Sequence, residues 1–83
     1  MYKVYAVRSL TKNYIYVGLS SDVSKRVERH NKGYERTTKP YRPFELFYTE
    51  DHPDRISARR REKFLKSGNG KAFLKSLIPP SSP

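Results

Sequence analysis

The stretch YIYVGLSSDVSKRVERHNKG, residues 14–33, passes from alternating aromatic and β-branched residues through a small polar turn into a basic helical pattern. Its first part, residues 14–20 (YIYVGLS), has a counterpart in residues 2–8 (YKVYAVR), and the two flank the turn-like SLTKN of residues 9–13. Aromatic and β-branched runs around a short polar connection predict an antiparallel hairpin. With residues 9–12 as the loop, Arg8 pairs with Asn13 and Tyr5 lies opposite Tyr16, so both phenols share one face. Ser21 or Asp22 then caps a helix that runs to Lys32, and Gly33 supplies a left-handed terminator. Val23 and Val27 form its buried stripe. Arg26 and His30 border that stripe four residues apart and can present two donors to one spot, whereas Lys25, Glu28 and Arg29 lie further towards solvent.

Working outward, residues 33–43 (GYERTTKPYRP) read as an ordered, irregular basic loop. Residues 44–49 (FELFYT) form a third strand, with Phe44, Leu46 and Tyr48 on one face and Glu45 and Phe47 on the other. Asp54 caps a second helix ending at Lys66 or Ser67, in which Ala58, Glu62 and Leu65 fall on one line. The SGNG of residues 67–70 predicts a break before a short helix over residues 71–77, and residues 79–83 (PPSSP) a disordered tail. The expected architecture is a single α+β domain over residues 1–78, with a small three-stranded, mainly antiparallel sheet flanked by helices.

The chain has 83 residues and no cysteine, so neither disulfides nor a thiolate zinc site holds the fold, and two histidines make a poor metal cage. No apolar run approaches bilayer length and the N-terminus lacks a signal-peptide pattern, which predicts a soluble, cytoplasmic protein without a membrane partner. Lys and Arg number 18 against 8 Asp and Glu, a formal net charge of +10. A field of that sign attracts polyanions, with nucleic acid the leading partner, through phosphate contacts by Lys25, Arg29, Lys32, Arg36, Lys39 and Arg42. Tyr34 and Tyr41, in the same basic region, are placed to stack on bases or sugars, whereas Tyr2, Tyr14 and Tyr48 belong to the core.

A carboxylate on an apolar helical row is costly unless it is paired or binds a cation. Glu62 therefore either pairs with an arginine at the core edge or ligates a hard cation such as Mg²⁺, which needs only one or two carboxylates beside water and phosphate. Tyr5 and Tyr16, beside Arg26, are candidates for proton transfer, because a phenol becomes a useful base only where positive charge favours its ionised form.

These residues, KVY at 3–5, YVG at 16–18, the DVSKRVERHNKG helix and the ARRREKFLKSGNG segment, together resemble the GIY-YIG nuclease family. The likeness is to its small single-domain members, related to the catalytic domain of the excision-repair incision nuclease. The resemblance implies a metal-dependent endonuclease acting on DNA phosphodiesters, in repair or processing, with Mg²⁺ or Mn²⁺ and no small-molecule cofactor. It implies Tyr5 and Tyr16 as the motif tyrosines, Arg26 as the arginine that meets the scissile phosphate, His30 as a neighbour of that phosphate and Glu62 as the metal ligand. The pattern departs from the family at Lys3-Val4, where relatives carry Gly-Ile, and at Leu19, where many carry a lysine. A binding module on the same scaffold that does not cleave is the alternative.

Overall fold

A computed structural model describes residues 1–78; the expected tail over 79–83 lies outside the described residues. The elements follow the order β1 (Tyr2–Ser9), β2 (Ile15–Ser20), α1 (Val23–Lys32), a 3-10 turn (Lys39–Tyr41), β3 (Phe44–His52), α2 (Arg55–Lys66) and α3 (Gly68–Ser76). The sheet is antiparallel with order β2-β1-β3, which is the expected α+β architecture.

The central strand β1 is buried on both faces because its two alternating side-chain sets meet different helices. Val4 and Ala6 pack with Val17 of β2 and with Ala58, Leu65 and Leu74 from α2 and α3. Tyr5 and Val7 pack with Val23 of α1 and Phe44 of β3. Helices α1 and α2 thus cover opposite faces of the sheet, and residues arriving on both meet only around a sheet edge. Arg26 of α1 and Glu62 of α2 are thereby carried on opposite faces of the sheet.

The hairpin register differs from the sequence expectation by two residues. Tyr5 lies opposite Gly18 and Tyr16 opposite Val7. The cause is Ser9, which remains in β1 opposite Phe44 while its backbone N–H donates to Tyr14 O. Its Oγ also accepts from the N–H groups of Thr11 and Lys12, at 3.2 and 3.0 Å, so the loop closes later than a simple count allows. A shift of two preserves the faces, and the two phenols remain neighbours.

Strand β3 is longer than expected and carries a bulge. Tyr48 partners Ala6 and Leu46 partners Val7, leaving Phe47 as the extra residue. Alternation therefore breaks, and Tyr48 joins Phe47 on the α2 side instead of sharing a face with Phe44. Leu46 is exposed.

Helix α1 begins and ends where the sequence places it. Asp22 accepts from Lys25 N, and Gly33 adopts φ 80°, a left-handed conformation that favours glycine. Helix α3, by contrast, starts at Gly68, three residues before expectation. Ser67 caps it by accepting from Gly70 N, and Gly70 packs so tightly on α2 that a side chain there would run into the backbone at Phe64 and Leu65. The glycines that read as a break are the close approach of two helices.

Candidate active site

Four of the five expected catalytic residues converge where α1 crosses the β1–β2 hairpin. Tyr5 is fully buried, its ring lying over Gly18: a methyl group at residue 18 would stand 2.8 Å from Tyr5 Oη and 3.1 Å from the Tyr16 ring. The two tyrosine rings are 6.3 Å apart, and His30, also fully buried, is 4.7 Å from the Tyr16 ring.

One proton assignment satisfies every donor along this chain of side chains. Thr38 donates its hydroxyl to Glu35 O, so its oxygen accepts from His30 Nδ1 at 2.9 Å. His30 Nε2 is then the acceptor, and Tyr5 Oη donates to it at 2.9 Å. His30 is held neutral, its pKa pushed down by burial and then by the charge of Arg26. Burial, followed by the neighbouring Tyr16, raises the Tyr5 pKa; Arg26 opposes that shift without cancelling it. A free tyrosinate at Tyr5 is thereby disfavoured, while a phenol already donating to a neutral imidazole is ready to pass its proton on.

Arg26 completes the cluster. Its Nη2 lies 3.1 Å from Glu35 Oε1, but its Nε is buried without a hydrogen-bond partner, a condition found at no other buried side-chain nitrogen or oxygen among the described residues. An orphaned guanidinium donor beside two phenols suits a phosphate oxygen, which guanidinium binds through paired N–H groups.

Glu62 arrives separately. It occupies the inward row of α2 with Ala58 and Leu65 and is 8% exposed. Its oxygens meet Lys66 Nζ at 3.4 Å and Arg59 Nε at 3.9 Å. Lys66 Nζ also stands 6.0 Å over the Tyr16 ring, linking the carboxylate to the tyrosine cluster around β2. No group of three or more His, Cys, Asp or Glu able to hold a metal occurs among the described residues. The residues fit a cation held by one carboxylate, water and substrate phosphate.

Of the expected nucleic-acid contacts, Lys32, Lys39 and Arg42 gather around Gly33. Lys25, Arg36 and Lys39 are exposed. Arg29 lies over the ring of exposed Tyr34, Lys32 pairs with Glu28 at 2.7 Å, and Arg42 donates to Lys32 O. Tyr41 stacks on Tyr14 with ring centroids 3.9 Å apart, so its ring is already committed to a partner. Sequence reasoning missed Glu35, Thr38 and Lys66. The first two lie in an irregular loop without periodicity, whereas Lys66 could have been found four residues beyond Glu62.

The family profile described as GIY-YIG catalytic domain matches residues 1–75. UPF0213 proteins of Staphylococcus aureus strains Mu50 and N315 are each 39% identical over 54 residues, 64% of this chain and 66% of those relatives, so the match spans just under two thirds of their length. The solution structure of the UPF0213 protein BH0048 from Bacillus halodurans superimposes with a TM-score of 0.55 at 29% identity, covering 98% of this chain and 89% of that one. No helix among the described residues is long and apolar enough to cross a membrane. With that profile matched over residues 1–75, the chain belongs to the GIY-YIG catalytic domain family, a family of nucleases.

Proposed function

We propose that this protein is an endonuclease that hydrolyses DNA phosphodiester bonds with a divalent metal ion. The observation that carries the reading is the buried, unpartnered Nε of Arg26 beside a phenol that donates to a neutral histidine. Arg26 binds non-bridging phosphate oxygens, exchanging Glu35 for substrate, and its contact strengthens as charge develops. Tyr5 takes a proton from the attacking water while releasing its own to His30 Nε2, so no tyrosinate accumulates. The water oxygen forms the new bond to phosphorus, the bond to the leaving sugar oxygen breaks, and that oxygen takes a proton from solvent. Tyr16, less buried than Tyr5, orients water or phosphate at the mouth of the cluster. A metal ion on Glu62, when bound, supplies Lewis-acid stabilisation of the leaving oxygen.

The test is incubation of purified protein with supercoiled plasmid and branched DNA, with Mg²⁺ or Mn²⁺ and with chelator. Cleavage is expected only with metal, and Glu62→Gln is expected to abolish it while preserving the fold and most DNA affinity. Full cleavage by a folded Glu62→Gln variant would remove the metal role from this residue. Tight DNA binding without cleavage by the unmodified protein would establish the binding-module alternative.

A further inference from the structure

Helix α2 has two flanks with different partners. Arg61 turns towards β3, where its Nε donates to Glu50 at 2.9 Å. Lys66 turns the other way, towards Tyr16 of β2. At 3.6 residues per turn, Arg55, Arg59 and Lys63 lie along the Lys66 flank, with Ile56 and Arg60 at its outer border. Arg55, Ile56, Arg59 and Arg60 line an open groove, and Ile56 is 68% exposed.

Arg59 and Lys66 hold Glu62, but the other cations of this flank are not spent on the fold. Among the described residues no ion pair engages Arg55, Arg60 or Lys63, while the carboxylate of Glu50 goes to Arg61 on the opposite flank. Beyond the Asp54 cap, the first turn of α2 holds no acidic residue, and Arg55 stands at the positive end of the helix dipole. Arg55, Arg59 and Lys63 are like charges four apart, a spacing that destabilises an isolated helix. A helix that keeps one flank cationic at that cost, and whose last turn stands beside the candidate site, is charged for a polyanion.

We infer that this flank of α2 is a second phosphate-backbone surface, along which the nucleic-acid strand held in the candidate site continues. From Arg55 to Lys66 the helix rises about 16 Å, the axial length of roughly five nucleotides at 3.4 Å each. The groove at Ile56 offers an apolar contact for a sugar between two arginines. The inference rests on the nucleic-acid reading of the site and not on cleavage.

The experiment measures binding to a labelled DNA duplex in chelator over a series of salt concentrations. It compares the unmodified protein, the triple variant Arg55→Gln, Arg60→Gln, Lys63→Gln, and, as a measure of the contacts expected on α1 and its following loop, the triple Lys25→Gln, Arg36→Gln, Lys39→Gln. Loss of three phosphate contacts reduces the slope of log affinity against log salt by about 2.7. The α2 triple is expected to show that reduction with an equal or higher melting temperature, since it removes repulsion within the helix. An unchanged slope would overturn the inference, as would intact DNA binding with lost binding to vesicles containing anionic lipid. No DNA binding by the unmodified protein would overturn the site reading as well, whereas binding and cleavage with an inert α2 triple would overturn this inference alone.

Discussion

Two clusters in this molecule are built from the same four residue types, tyrosine, histidine, arginine and glutamate, and they end in opposite states. Between β3 and α2, Glu50 is the common acceptor: Tyr48 donates to it, His52 Nε2 is 2.7 Å away, and Arg61 Nε donates at 2.9 Å. His52 Nδ1 meets Ser57 Oγ at 3.2 Å, tying the strand end to the first turn of α2. Every member points at one carboxylate, and the cluster is closed. On the other side of the sheet, Tyr5, His30, Arg26 and Glu35 form a chain instead of a star, and the chain leaves Arg26 Nε unsatisfied. A buried donor without a partner costs stability, about 1–3 kcal/mol for neutral groups and more for charged ones. Composition is the same; convergence on an internal acceptor makes a brace, and its absence leaves capacity for a ligand.

The largest expected effect follows from that contrast. Arg26→Ala should lower single-turnover cleavage by about 10² to 10³-fold, the range for loss of one transition-state donor, with little change in melting temperature. Arg61→Ala should do the reverse, keeping the cleavage rate of the folded protein and lowering its melting temperature. Equal rate losses in both variants would erase the distinction between the clusters.

Next in size is the Tyr5–His30 pair. Tyr5→Phe and His30→Phe should each slow cleavage by about 10²-fold or more, and the double variant should be little worse than either, because residues acting as a unit are not additive. Since burial and Arg26 hold the His30 pKa below its usual value, the acid limb of the rate profile should fall below about pH 6.5, the unperturbed histidine value. An acid limb above that value would mean that His30 is not the acceptor.

The smallest effect belongs to the brace. Burial alone would raise the Glu50 pKa, but hydrogen bonds from Tyr48, His52 and Arg61 prevail and lower it. Because its folded value is depressed, Glu50 contributes stability above the unfolded carboxylate pKa, near 4.3, and loses it as pH falls through the lower folded value. Glu50→Gln should cost about 1–3 kcal/mol at pH 7 in denaturant unfolding, a difference that shrinks below pH 4. A difference independent of pH would place the effect in packing.

Much of this was legible in the chain. Asp22 and Gly33 bracket α1 as their chemistry dictates, and the row Ala58, Glu62 and Leu65 is buried as its spacing requires. Tyr5, Tyr16, Arg26 and His30 come together as the resemblance implied. The hairpin register was not legible, because Ser9 keeps its place beside Phe44, a contact made far along the chain. The bulge at Phe47 escaped for a similar reason: alternation describes a strand alone, while a bulge belongs to a pair. Glu35, Thr38 and the closed Glu50 cluster depend on loop geometry and side-chain direction, neither of which has a period. The cations of α2 were visible as a charge run, but which of them were spent on partners was not.

The row on α2 has one more consequence. Ala58 and Leu65, which cover Val4 and Ala6, stand on the same side of the helix as Glu62. A nascent or damaged chain without this helix would leave one face of the central strand bare, and would also lack Glu62, the carboxylate proposed to hold the metal ion. Under the proposed reaction, competence to cleave is thereby tied to completed folding.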